Sequence, residues 1–300
     1  MAVTVESTTT SAFSSGSTSF SQNRPTGTTD GDLLVAIVFT GNDNGTTDLT
    51  VSSAPSGWTL VEQTKTTISG GSNNPVNVYT YEKIASSEPS SWTWTLSTSG
   101  SQYYYAGSVF RISESSGITA SDEDTVDNND SPSFTTGLTP TGANNLFIMA
   151  TVATDISSGG HSTSSYAITT DNPTWTELLD TQSDTTGTTI LASVAYATRS
   201  ESTSTGNWSC AFSTSSGFAD SASQLHSITT ELDVTTNLDT AGSITIDQGG
   251  SHDVFLGITT PLDSPGVMTI TGDAGTPTTQ EYEEWTDQSK SSSNWTNQSK

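Results

Sequence analysis

The chain has 300 residues, with seven Lys and Arg against 32 Asp and Glu and a formal net charge of −25. Hydrophobic residues make up 30%, while Ser and Thr together number 108. So few cations leave no basic patch to neutralise phosphates, so nucleic acid is not an expected partner. No run approaches the roughly 18 apolar residues of a membrane span, so no membrane is expected either. The start, Met1 to Glu6, has no basic stretch leading into an apolar one, and no Sec-type leader is expected. There is no heptad run for a coiled-coil shaft.

Low hydrophobicity with high net charge is the usual mark of disorder. The aromatic residues argue otherwise. Seven Trp, eight Tyr and nine Phe sit in short runs rich in Val, Ile and Thr, which suit pleated, half-buried surface. Thr covers the solvent side of a strand without adding much apolar area. The expected fold is all-β, with polar outer faces and thin cores.

An internal repeat sets the organisation. Gly31-Asp32 leads into the apolar run Leu33 to Phe39, the signature of a strand buried on both faces. The run returns as Leu146 to Val152 after Asn144-Asn145. Four further matches follow in the same order. Pro55 to Val61 answers to Asn172 to Leu179, and Val78 to Tyr81 to Val194 to Tyr196. Trp92 to Ser97 answers to Trp208 to Ser213, and Ala106 to Phe110 to Ala222 to His226. The register of these matches predicts two tandem copies of one fold, at 1–118 and 119–231.

Each copy holds seven or eight short strands between turn clusters such as Asn42 to Gly45 and Ser69 to Pro75. This spacing predicts antiparallel sandwiches of jelly-roll or Ig-like type. Alternation puts Trp92, Trp94 and Leu96 on one inward face, and Trp208, Cys210 and Phe212 on its counterpart. Cys210, the lone cysteine, is therefore a core thiol. Trp58 and Trp175 recur at matching positions, which marks them as structural.

After Glu231 the aromatic pattern stops. Ser243 to Ile246, Val254 to Ile258 and Val267 to Thr271 predict a small β unit at 232–278, a size at which a lone core is marginal. At 279–300, Glu284-Trp285-Thr286-Asp287-Gln288-Ser289-Lys290 returns ten residues later as Asn294-Trp295-Thr296-Asn297-Gln298-Ser299-Lys300. The expected form is an extended tail, with Trp285 and Trp295 docking onto a partner or onto the parent domain; the alternative is a disordered terminus.

Several of these strings carry a resemblance. Gly31 to Ala36, Ser56 to Val61 and Ala85 to Trp94 together resemble a β-sandwich module of tailed-phage virion proteins and some bacterial surface proteins. Ser264 to Gly272 resembles a short Pro-Gly-x-Leu-Thr-Leu-Thr-Gly repeat of phage structural proteins, and the terminal repeats are similar to the tails of such proteins. The resemblance implies a virion structural role and no catalytic residues. Copy two departs from it, with Asn144-Asn145 in place of Gly31-Asp32 and no Glu-Pro-Ser-Ser after Arg199.

A search for chemistry leaves little. His161, His226 and His252 have no metal-ligand spacing, and His226 aligns with the strand residue Phe110. No nucleophile elbow or phosphate-binding glycine motif is present. Catalysis and cofactors are not expected. Asp122, Asp124 and Asp127, with Glu123 and Asp130, read as an acidic loop between the copies and are weak calcium candidates. Asn42 to Asn44 with Asp48 is a weaker one. Tyr103 and Tyr105 share one side of their strand and are the candidate glycan platform. The expected role is a non-enzymatic virion component on the particle surface (capsid decoration, head fibre or tail-associated). Its partners would be other virion proteins, copies of itself or a host-surface glycan. The alternative is a bacterial extracellular adhesin or carbohydrate-binding sandwich protein.

Overall fold

A computed structural model describes residues 3–229 apart from 44–46, 67–73, 114, 116, 128–132, 135–136, 141–143, 156–162, 184–188, 201–202 and 213–217. Beyond 229 it describes 244–248, 267–272 and 278–281. All regular structure among the described residues is β. Residues 1–231 form one compact unit and 232–300 a second.

In the first unit, β1 (Thr4–Ser15), β2 (Ser19–Asn23), β3 (Leu33–Asn42), β4 (Val51–Ser53), β5 (Thr59–Lys65), β6 (Val76–Ile84), β7 (Ser91–Leu96) and β8 (Tyr103–Ser113) build the first sandwich. The second comprises β9 (Ile118–Asp127), β10 (Ser133–Phe134), β11 (Asn145–Asp155), β12 (Thr163–Ile168), β13 (Thr176–Gln182), β14 (Thr189–Arg199), β15 (Trp208–Phe212) and β16 (Phe218–Ile228). The sheet orders are β1-β8-β3-β6-β5 with β2-β7-β4, and β9-β16-β11-β14-β13 with β10-β15-β12. Adding eight to each strand number of the first copy reproduces the second. Every pair in these sheets is antiparallel.

Alternation explains why β3 and β11 are apolar on both sides. Leu34, Ala36 and Val38 face the three-stranded sheet of their own sandwich, where Trp92, Trp94 and Leu96 meet them. Leu33, Val35, Ile37 and Phe39 face the other way and share a core with Leu146, Ile148, Ala150 and Val152 of β11. Phe147 and Met149, on the opposite side of β11, meet Trp208 and Cys210 of β15. The two five-stranded sheets therefore lie against each other, and the unit is four sheets deep. The boundary expected at 118/119 falls just inside β9, after its first residue Ile118. It divides two sandwiches that share a core.

The entries to β3 and β11 show how the copies diverged. Gly31 has φ +95° and Asn144 has φ +60°, so both adopt the left-handed backbone that Gly and Asn tolerate best. The next residue differs along with its partner. Asp32 binds Arg111 of β8 at 2.7 and 3.4 Å, whereas Asn145 accepts a 3.3 Å bond from Ser227 of β16. An ion pair in one copy is a neutral hydrogen bond in the other. Burial would raise the Asp32 carboxyl, but the Arg111 and Thr29 hydrogen bonds outweigh it and hold the group below its ordinary value.

In the second unit, β17 (Ile244–Gln248) pairs in parallel with β18 (Val267–Gly272), and β18 pairs antiparallel with β19 (Thr278–Glu281). The predicted strands at 243–246 and 267–271 match β17 and β18. β19 occupies the start of the segment expected as tail. Val254 to Ile258 and residues 282–300 lie outside the described residues.

Candidate functional surfaces

The interface between the two five-stranded sheets has an apolar half and a polar half. At one edge β1 lies beside β13, and at the other β5 lies beside β9. On the apolar side Phe110 packs edge-on against Tyr196 at 6.0 Å, and Phe13 against Tyr104 at 6.3 Å. On the polar side the position matching Phe110 holds His226, and the position matching Ser108 holds Gln224. Both are fully buried.

These two residues anchor a hydrogen-bond chain that crosses between copies. His226 Nδ1 lies 2.8 Å from Ser121 Oγ on β9, and Nε2 lies 2.8 Å from Thr80 Oγ1 on β6 of the other copy. Thr80 donates to Gln224 Oε1 at 2.6 Å. Gln224 Nε2 donates to Thr64 Oγ1 at 3.0 Å and to the Val78 carbonyl at 3.2 Å, and Thr64 donates to the Glu123 carboxylate. Because Thr80 spends its proton on Gln224, it accepts from Nε2–H, and the pattern assigns the Nε2–H tautomer with Nδ1 accepting from Ser121. Burial holds the ring neutral and lowers its pKa from 6.5 to about 3. At the rim, burial and then the Glu123 charge raise the Glu62 carboxyl.

The cations form a second constellation. All five Lys and Arg of residues 1–231 are tied into the fold. Arg111 pairs with Asp32 and Lys65 with Asp48. Lys83 reaches Glu88 at 2.8 Å, and Arg24 donates to the Glu88 carbonyl at 2.5 Å. Arg199 of copy two donates to the carbonyls of Thr170 and Thr203 and lies over the Phe147 ring at 5.7 Å. Glu88, with its side chain only 1% exposed, also accepts from Ser86 N at 2.9 Å and Trp92 Nε1 at 3.0 Å. Burial opposes its charge, but the Lys83, Ser86 and Trp92 bonds prevail and lower its pKa. Glu88→Gln should cost about 1–3 kcal/mol of stability in urea denaturation, the range for losing hydrogen bonds to a charged group. The 85–90 loop and the start of β7 are the segment that should loosen.

The structure places the sequence-predicted residues as follows. Tyr103 and Tyr105 do share a face, but that face is inside, at 8% and 6% exposure, with Tyr105 5.3 Å from Phe20. Neither ring offers a platform for a sugar. Tyr104, on the opposite face, packs against the shared core. Asp122, Asp124 and Asp127 lie in strand β9, not in a loop, because β16 pairs with it from Ile118 to Asp127, with one register shift at Thr119. The Asp122 carboxylate accepts from Trp208 Nε1 at 2.7 Å, which binds β9 to its own sandwich. Asp48 is engaged by Lys65 and Asn77. Among the described residues no group of three or more His, Cys, Asp or Glu converges as a metal site. Cys210 is buried. His161, His252, Asn44, Asp130, Trp285 and Trp295 lie outside the described residues.

Sequence reasoning placed His226 on a strand and missed its partners Thr64, Thr80, Ser121 and Gln224. The usable signal was the mismatch between copies at inward positions, Gln224 against Ser108 and His226 against Phe110. No protein-family model, curated protein or solved structure matches the chain.

Proposed function

We propose that the chain is a non-enzymatic structural component of a phage virion, displayed on the particle surface as capsid decoration or as a head or tail appendage, and acting by protein–protein docking. The observation that carries this reading is the shared core. Two sandwiches spend their broadest faces on each other and form one thick block, a construction suited to a durable projection. Internal pairing of the cations supports it further. The block's 22 acids are opposed by five cations, each already engaged within the fold. Such a surface stays soluble and repels anionic polymers and envelopes. The string resemblances at 31–36, 56–61, 85–94 and 264–272 point the same way. The adhesin alternative has lost its named sugar platform to the core.

In this reading Trp285 and Trp295 are docking residues whose weak single contacts are multiplied over a repetitive lattice. Deleting 282–300 should release the protein from purified particles in a sedimentation assay, while the thermal melt of the body stays unchanged. A collapsed melt would place the tail in a core instead. The reading as a whole is tested by immunolabelling intact virions with antibody raised against residues 1–231. Regular decoration of the particles is expected. Unlabelled particles that also lack the chain by mass spectrometry would overturn the proposal.

A further inference from the structure

We propose that the polar half of the interface between the two sandwiches is an acid-releasable clasp, opened by protonating His226 while each sandwich keeps its own inner core. The geometry is the ground for this. His226 bridges Ser121 of copy two and Thr80 of copy one, and the chain through Gln224 and Thr64 returns to β9 at Glu123. Four of the polar links between the copies on this side run through one imidazole and its neighbour, and beside them Thr64 donates to Glu123 and Ile118 N donates to Glu82 Oε2 at 2.8 Å. The symmetric position on the other side is Phe110, which no proton affects. An imidazolium at 226 would be a buried charge in contact with hydroxyls and an amide only. Separating the sheets along that edge is the motion that hydrates it.

The other titratable groups facing the clasp are carboxyls. Glu62 comes from β5, Glu82 from β6, Glu123 from β9 and Asp220 from β16 itself, while β11 presents Ile148 beside the ring. Glu62 has a raised pKa, so its protonation favours the closed state and works against opening. His226 acts with the opposite sign. Its pKa is lower closed than open, so the open state binds more protons between pH 6.5 and about 3. Closure is complete above that window and is lost as pH falls through it.

Hydrogen exchange on the intact chain at pH 7 and pH 4.5, corrected for intrinsic rates, tests the clasp. Peptides covering β5, β9 and β16 should lose about 100-fold in protection, tenfold for each pH unit below the open-state pKa. Peptides covering β2 and β7 should keep theirs. His226→Phe, which installs the residue that copy one uses, should remove the acid dependence at β5 and β9, and His226→Gln does the same if the phenyl ring packs badly. NMR of histidine labelled in the ring should show residue 226 neutral through pH 5 in the native chain. Three results would overturn the clasp: an imidazole titrating near its ordinary value in the native protein, an acid loss unchanged in both variants, or an equal loss at β2 and β7.

Discussion

Cut after Gly117, the first sandwich should not persist as a soluble monomer. The cut bares Leu33, Val35, Ile37, Phe39, Phe110 and Ile112, all at 1% exposure or less in the intact unit. Each such side chain contributes about 1.5–3 kcal/mol when buried. Six of them together rival the whole stability of an ordinary domain, about 5–15 kcal/mol. The apolar half of the bared face is also the kind of surface that associates. Size-exclusion chromatography with light scattering should find aggregate or oligomer, and co-expression of 118–231 should recover a monodisperse complex of one copy of each. A monomeric fragment with a cooperative melt would show that each sandwich is self-sufficient.

Trp94→Ala should destabilise the first sandwich by about 3–5 kcal/mol, the usual cost of removing a large aromatic from a filled core. Trp94 has no exposed surface, and its ring centroid lies within 6.2 Å of those of Phe20, Trp58 and Tyr81. Trp58 shares this cluster at 8% exposure, so Trp58→Ala should fall in the same range. The repeat assigns Trp175 the same weight as Trp58, and the structure does not. Trp175 is half-buried, touches Tyr166 at 5.9 Å and donates its indole N–H to Asn172. Trp175→Ala should cost only about 1–2 kcal/mol, because less surface returns to water. Urea titrations of the three variants would rank them, and an equal loss at positions 94 and 175 would refute the distinction.

These two cases show what was legible in the sequence. Period-two alternation placed Trp92, Trp94 and Leu96 inward and put Tyr103 and Tyr105 on one side. It could not say which side of β8 was covered by β2, β7 and β4. The run 33–39 declared itself buried on both faces. What buried the second face, the partner sheet of copy two, required knowing that the copies stack. The acidic stretch 122–127 looked like a loop because Asp and Glu suit strands poorly, yet β16 recruits it as an edge, and that pairing outweighs local preference. The clasp was the least legible feature. Its members come from β5, β6, β9 and β16, and only the departure of copy two from copy one hinted at them.

The pairing of cations has a consequence for survival outside a cell. Proteases of trypsin type cut after Lys or Arg, and residues 1–231 offer five such positions. Arg24 precedes Pro25, a bond these enzymes do not accept. Lys65, Lys83, Arg111 and Arg199 lie within β5, β6, β8 and β14, where the backbone is held by neighbouring strands and the side chain is already claimed. A digest should therefore nibble at the end bearing Lys290 and Lys300 and leave the block whole, which is a useful property for a protein in fluids rich in digestive enzymes.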